Sequence, residues 1–182
     1  MVGIFIDLAC SRSGPDVAEY LLDRTGTWTI SMLIVSLAMS PLRQITGNKF
    51  FLTQRRQIGL FTFFYGSIHV ASFILFYVDW GTSTLTDELS TKPYIIFGLL
   101  CWLCLLPLAI SSNNYCQKFM GSLWVRLHKL IYFAAILACL HIWLQVRADF
   151  TKAIGISATI AALLAWRIWR NKDRRQSLGA IK

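Results

Sequence analysis

The chain of 182 residues is 55% hydrophobic and only 15% charged, with a mean hydropathy of +0.53. Water-soluble domains carry about a quarter charged residues, so the composition argues against a soluble enzyme, a nucleic-acid-binding domain and a disordered tail. The net charge of +9 does not restore a nucleic-acid partner, because the basic residues cluster in short gaps between apolar runs, where a membrane protein carries them.

In chain order, Met1 to Cys10 is an apolar stub too short to cross a bilayer, with Asp7 inside it and no basic start of a signal peptide. It reads as a re-entrant or interfacial piece, or as the remnant of a further span whose front is missing. An acidic linker over 11–27 follows. A spanning helix needs about 20 mainly apolar residues, and five stretches meet or approach that length: 28–42 (closed by Pro41), 58–78, 94–110, 127–146 and 153–169. Arg167, in the short fifth span, is expected to snorkel toward the headgroups. The runs are uniformly apolar rather than alternating, so helices are expected and a β-barrel is not. The fold class is an all-α integral membrane protein, a five-helix bundle plus the stub, forming one domain over 1–182.

Loop charges orient this bundle. The gap 43–57 holds Arg43, Lys49, Arg55 and Arg56 without an acid; the gap 79–93 holds Asp79, Asp87 and Glu88 against Lys92. The gap 111–126 is basic again, and the tail 170–182 is basic. The positive-inside rule places these basic segments and the C-terminus in the cytoplasm, with the acidic ones outside. The tail is expected to lie on anionic membrane lipid. Four of the five cysteines (Cys10, Cys101, Cys104, Cys139) lie in or at the end of apolar runs, which gives no disulfide framework.

The three histidines, His69, His128 and His141, all fall within the expected helices. Ionisable or ligating groups within a span are costly and are functional candidates by default. At 1.5 Å per residue, His69 lies about 20 Å and His141 about 22 Å from the cytoplasmic end of its span. His128 lies only about 3 Å in. Two imidazoles at one height on different helices suit a metal held from opposite sides. Neither span offers a carboxylate near them, so haem iron with two axial ligands fits better than zinc or copper. Phe61, Phe63, Phe64, Tyr65, Phe73, Tyr132, Phe133 and Trp143 are expected to supply an aromatic pocket. Cys101-Trp102-Leu103-Cys104 is followed by Leu105 and not by His, so covalent c-type attachment is excluded and a b-type haem is implied. Iron with both axial positions filled passes electrons and leaves no open position for dioxygen.

These residues resemble the ferric-reductase-like transmembrane domain, whose helices carry histidine pairs 13 or 14 residues apart and hold two stacked haems. His128 and His141 show that spacing on one helix; on the other, Arg56 and Arg55 stand where the fourth histidine is expected. A second haem would need His128 and a substitute ligand. Alternatively, His128, Arg55 and Arg56 serve a propionate, a quinone or a flavin phosphate. Within this family the chain is most similar to the haem-binding membrane subunits of bacterial periplasmic methionine sulfoxide reductase systems. The likeness runs from about Gly14 to Arg170 and rests on Thr25-Gly26, Ser40-Pro41-Leu42-Arg43, Arg55-Arg56-Gln57-Ile58-Gly59-Leu60, Tyr65 before His69, Lys92-Pro93-Tyr94, Trp124 to Tyr132, and His141.

The resemblance implies an electron-transfer subunit carrying one b haem, or two, and not itself the sulfoxide-reducing enzyme. It implies quinol from the respiratory chain as donor and MsrP, a soluble periplasmic molybdopterin reductase, as acceptor. That partner would reduce methionine sulfoxide and so repair oxidised proteins. FMN binding is implied by the resemblance alone; no phosphate-cradling glycine loop is visible. The competing readings are a ferric-reductase-like or other redox subunit with a different partner, and a non-haem transporter or scaffold.

Overall fold

A polar backbone in hydrocarbon must satisfy its own hydrogen bonds, which long runs of apolar residues do as helices. The computed structural model describes residues 17–78, 82–146 and 148–179. The stub Met1–Cys10 lies outside these. Eight helices occur among the described residues: α1 (Val17–Thr46), α2 (Phe50–Tyr77), α3 (Thr82–Thr91), α4 (Pro93–Ile110), α5 (Asn114–Met120), α6 (Ser122–Leu127), α7 (Leu130–Gln145) and α8 (Thr151–Gly179). Five helices are long and apolar enough to cross a membrane, with α6 and α7 together forming one of them, Ser122–Gln145.

Several boundaries differ from the sequence expectation, because hydropathy marks the part of a helix that sits in hydrocarbon and not where the helix ends. The acidic linker 11–27 is helical from Val17 onward, and α1 runs through Pro41 to Thr46. The basic gap 43–57 shrinks to Gly47–Lys49. Gly47 ends α1 with φ +69, its N–H donating to the Arg43 carbonyl at 2.8 Å, a left-handed cap that only glycine adopts without strain. The Asn48 Oδ1 then accepts from the Phe50 N–H at 2.9 Å and starts α2. His128 lies at a break within the span Ser122–Gln145: it caps α6, its N–H donating to the Trp124 carbonyl at 3.0 Å, before α7 begins at Leu130.

The bundle is built from two tightly packed pairs. α1 lies along α2, and α4 along α7; α8 leans on α1 and α7, and α2 touches α4 across the pairs. The α1–α2 seam uses small and hydroxyl residues, with Thr25, Ser36, Ser40, Thr62, Gly66 and Ser72 all buried. Lipid is as apolar as leucine, so helices in a membrane associate through close backbone approach at such residues. The Thr25 and Thr62 hydroxyls are satisfied within their own helices, donating to the Leu21 and Ile58 carbonyls. The apolar core joins Ile30, Leu33 and Leu37 of α1 to Leu105 and Leu108 of α4, and to Ala134, Ala135 and Leu137 of α7.

Leu37 is 4% exposed within this core. Leu37→Ala should lower stability by about 2–5 kcal/mol, read as a lower unfolding midpoint of the full chain in detergent.

Candidate functional site

The two helix pairs enclose a cavity of about 290 Å³. Its walls are mostly small and aliphatic: Gly26, Ile30 and Leu33 from α1, Gly66 and Val70 from α2, Gly98, Cys101 and Leu105 from α4, and Ala138 from α7. His69 of α2 and His141 of α7 both line it, their ring centres 6.3 Å apart and their planes at 90°. The sequence places these two imidazoles at one height, and the structure brings them side by side.

Each ring is held in the same way. His69 Nδ1 lies 3.1 Å from the Leu22 carbonyl of α1, and His141 Nδ1 lies 2.7 Å from the Tyr94 carbonyl of α4. A carbonyl oxygen only accepts, so Nδ1 carries the proton in both rings. In a neutral imidazole, Nε2 is then left with a free lone pair, the arrangement found in metal-binding histidines. Thr25 adds a hydroxyl 3.3 Å from His69 Nδ1 and donates its own hydrogen to the Leu21 carbonyl at 2.6 Å.

The carbonyls are reachable because a glycine follows each by four residues on the facing helix. A methyl group at Gly98 would stand 2.8 Å from both Nδ1 and Cε1 of His141. One at Gly26 would stand 3.1 Å from Cε1 of His69. Bare backbone at these two points lets each imidazole lie flat on its neighbouring helix. Gly26 stands out in the sequence only within Thr25-Gly26, and Gly98 only as a glycine inside an uninterrupted apolar run, which is the signal that marks a close approach.

The expected aromatic pocket does not form. Phe61, Phe64, Phe133 and Trp143 are all exposed on the outside of the bundle. None of the eight aromatics named from sequence lines the cavity, and the aromatic wall comes instead from Trp102, whose Nε1–H donates to Ser67 Oγ at 3.0 Å. In a chain dissolved in lipid, large rings favour the outer surface while small residues favour the seams. One end of the cavity is polar, where Asp23, Gln145, Asp149 and Lys152 meet. Asp149 Oδ1 accepts from the Thr151 N–H at 2.9 Å and starts α8. Hydrogen bonding to Thr151, side chain first and backbone second, holds the Asp149 carboxyl below its usual range, with Lys152 adding to the effect.

His128, Arg55 and Arg56 stand at the opposite, basic end and do not converge as one group. The His128 ring stacks on Trp124 with centres 3.8 Å apart, and its Nδ1–H donates to the Trp124 carbonyl at 3.0 Å. Arg55 reaches Ser40 Oγ at 3.4 Å. Arg56 points outward and donates to Asn114 Oδ1 at 2.7 Å. Arg167 is half-buried over the Tyr132 ring, 5.0 Å from its centre. Among the described residues, no three His, Cys, Asp or Glu side chains gather into a metal cluster.

Residues 25–139 match the family described as ferric reductase like transmembrane component. The chain belongs to this family. Within it, the chain is 36% identical over 164 residues to the protein-methionine-sulfoxide reductase heme-binding subunit MsrQ of Xanthomonas axonopodis pv. citri (strain 306), covering 90% of this chain and 75% of that relative. The MsrQ proteins of Xanthomonas campestris pv. campestris (strain B100) and Xanthomonas euvesicatoria pv. vesicatoria (strain 85-10) match at the same identity and coverage. No solved structure gives a match. The family match takes in His69 and His128, and ends two residues before His141.

The glycines give a test with opposite signs. Inside a helix, Gly→Ala normally stabilises by roughly 0.5–1 kcal/mol, and Gly155→Ala should do so because nothing lies within 4 Å of its would-be methyl. Gly98→Ala should instead destabilise by about 1–3 kcal/mol through overpacking against His141, with Gly26→Ala between the two. Thermal unfolding of the three variants in one detergent reads the order.

Proposed function

We propose that the chain is a b-type haem-binding, transmembrane electron-transfer subunit of a protein-methionine-sulfoxide reductase system. The observation that carries this reading is the histidine pair. With a metal–imidazole bond of about 2 Å and each ring centre about 1.2 Å behind its nitrogen, two imidazoles on one iron have centres about 6.4 Å apart. His69 and His141 stand at 6.3 Å, each with Nδ1 already committed to a carbonyl. The residues therefore fit haem iron with His69 and His141 as axial ligands. When bound, the haem supplies a one-electron iron couple with no open position for dioxygen.

The chain's own residues supply the rest of the site. The backbone carbonyls of Leu22 and Tyr94 orient the rings and strengthen them as ligands. The aliphatic and glycine walls suit the faces of a flat apolar ring. At the polar end, Lys152 and Gln145 suit the carboxylates that such a ring carries. His128 would serve a second haem only with a ligand other than Arg55 or Arg56, which point to Ser40 and Asn114. FMN rests on the family resemblance, and no residues are assigned to it.

The positive-inside rule supports a cytoplasmic basic end and C-terminus in a bacterial inner membrane. On that orientation the histidine pair lies toward the periplasm. Quinol is the donor in this reading. The acceptor is the periplasmic molybdopterin subunit MsrP, which reduces methionine sulfoxide in damaged proteins and reverses the change from an apolar to a polar side chain.

Membranes containing the chain should show a sharp low-spin b-haem band in the reduced-minus-oxidised spectrum, with iron and protohaem in stoichiometric amounts. His69→Ala and His141→Ala should each abolish the band of this haem, whereas His128→Ala should retain it. An unchanged spectrum in both of the first two variants would remove the ligand assignment.

A further inference from the structure

The two halves of the histidine site share one template and differ at one position. Each Nδ1 is bonded to a helix carbonyl, Leu22 or Tyr94, and the glycine that lets the ring approach, Gly26 or Gly98, follows that carbonyl by four residues. Three residues after the carbonyl, α1 carries Thr25 and α4 carries Phe97. Thr25 is 1% exposed, and Phe97 packs against the apolar core. A phenylalanine side chain offers no hydrogen-bonding atom, whereas the Thr25 hydroxyl lies 3.3 Å from His69 Nδ1.

The direction of that contact is set from both sides. A hydroxyl has one hydrogen, and Thr25 donates it to the Leu21 carbonyl at 2.6 Å. His69 Nδ1 carries its own proton, because the Leu22 carbonyl at 3.1 Å can only accept. Thr25 Oγ1 is therefore an acceptor. The His69 N–H is shared between two oxygens, and one of them belongs to a relay that ends on Leu21. Bonds in such a chain polarise one another. His141 has instead a single, shorter bond to the Tyr94 carbonyl, at 2.7 Å. Hydrogen bonding at Nδ1 raises the basicity of Nε2 and so its strength as a ligand. His69 thus draws on two acceptors for what His141 draws from one.

We propose that Thr25 is a positioning residue of the haem site, its hydroxyl strengthening His69 as an axial ligand and so lowering the reduction potential of the iron. This rests on His69 and His141 holding that iron, and Thr25 acts only through His69. The sign follows from charge: a more basic ligand favours ferric over ferrous iron. The hydroxyl is not needed to complete α1, since in an α-helix the Leu21 carbonyl already accepts from the Thr25 N–H.

Redox titration of the haem band in the purified full chain tests the assignment. Thr25→Val keeps the shape, removes the acceptor and should favour reduction about tenfold, the lower end of what losing an outer partner costs. For one electron that is a midpoint raised by about 59 mV. Thr25→Ser restores the hydroxyl and should titrate with wild type. Thr62→Val makes the same change at a buried seam hydroxyl that bonds within α2, and should leave the midpoint in place. A Thr25→Val midpoint equal to wild type overturns the proposal, as does an equal shift in Thr25→Ser or Thr62→Val. Should Thr25→Val fail to retain haem, magnetic resonance of isotope-labelled histidine in the haem-free chain reads the contact itself. The His69 Nδ1 proton should move upfield in Thr25→Val and stay in Thr25→Ser, with that of His141 fixed in both; an unmoved His69 proton overturns the proposal. A wild type without any haem band overturns the haem reading, whereas a band whose midpoint ignores Thr25 overturns this proposal alone.

Discussion

The central region of this bundle depends on one contact made twice: an imidazole N–H bonded to a backbone carbonyl of the helix beside it. Leu22 and Tyr94 supply the carbonyls, and Gly26 and Gly98 remove the methyl groups that would hold the rings away. A buried polar ring without a partner is costly in hydrocarbon. Here that cost is met by main-chain atoms, which substitution cannot remove. The bond also selects the tautomer, so both rings present the same free nitrogen to the cavity they line. Site chemistry and helix packing are thus one arrangement.

The remaining architecture follows from how a membrane sorts side chains. Glycines and hydroxyl residues occupy the α1–α2 seam, where closeness matters more than bulk. Phenylalanine and tryptophan go to the perimeter, where they meet acyl chains. Most described acidic residues lie at one end, where Lys92 pairs with Glu88 and Lys152 stands near Asp149. The exceptions to this sorting, the two imidazoles in the cavity, are the places where the chain departs from what lipid alone favours.

Much of this was legible in the sequence. The five apolar runs, the alternation of loop charge, and the count of residues from Arg56 to His69 and from Arg126 to His141 together set the two rings at one level. What the sequence did not reveal was mostly a matter of direction. Hydropathy cannot say which way a phenylalanine points, so Phe61, Phe64 and Phe133 were expected inside and stand outside. Nor does a proline near the end of an apolar run necessarily end the helix: α1 continues past Pro41 until Gly47 supplies a left-handed residue. Adjacent arginines look equivalent on paper, but successive residues of a helix point about 100° apart. Arg55 therefore turns to the bundle and reaches Ser40 of α1, and Arg56 turns away to Asn114.

The division into two helix pairs has a mechanical consequence. Each imidazole is anchored within one pair, His69 to α1 and His141 to α4, while the shared apolar core, the contact of α2 with α4 and the packing of α8 hold the pairs together around the cavity. Sliding one pair along the other therefore changes the gap between the rings. Whatever spans that gap acts as a rivet between two half-bundles, and its strength of attachment adds to the resistance of the protein to shear.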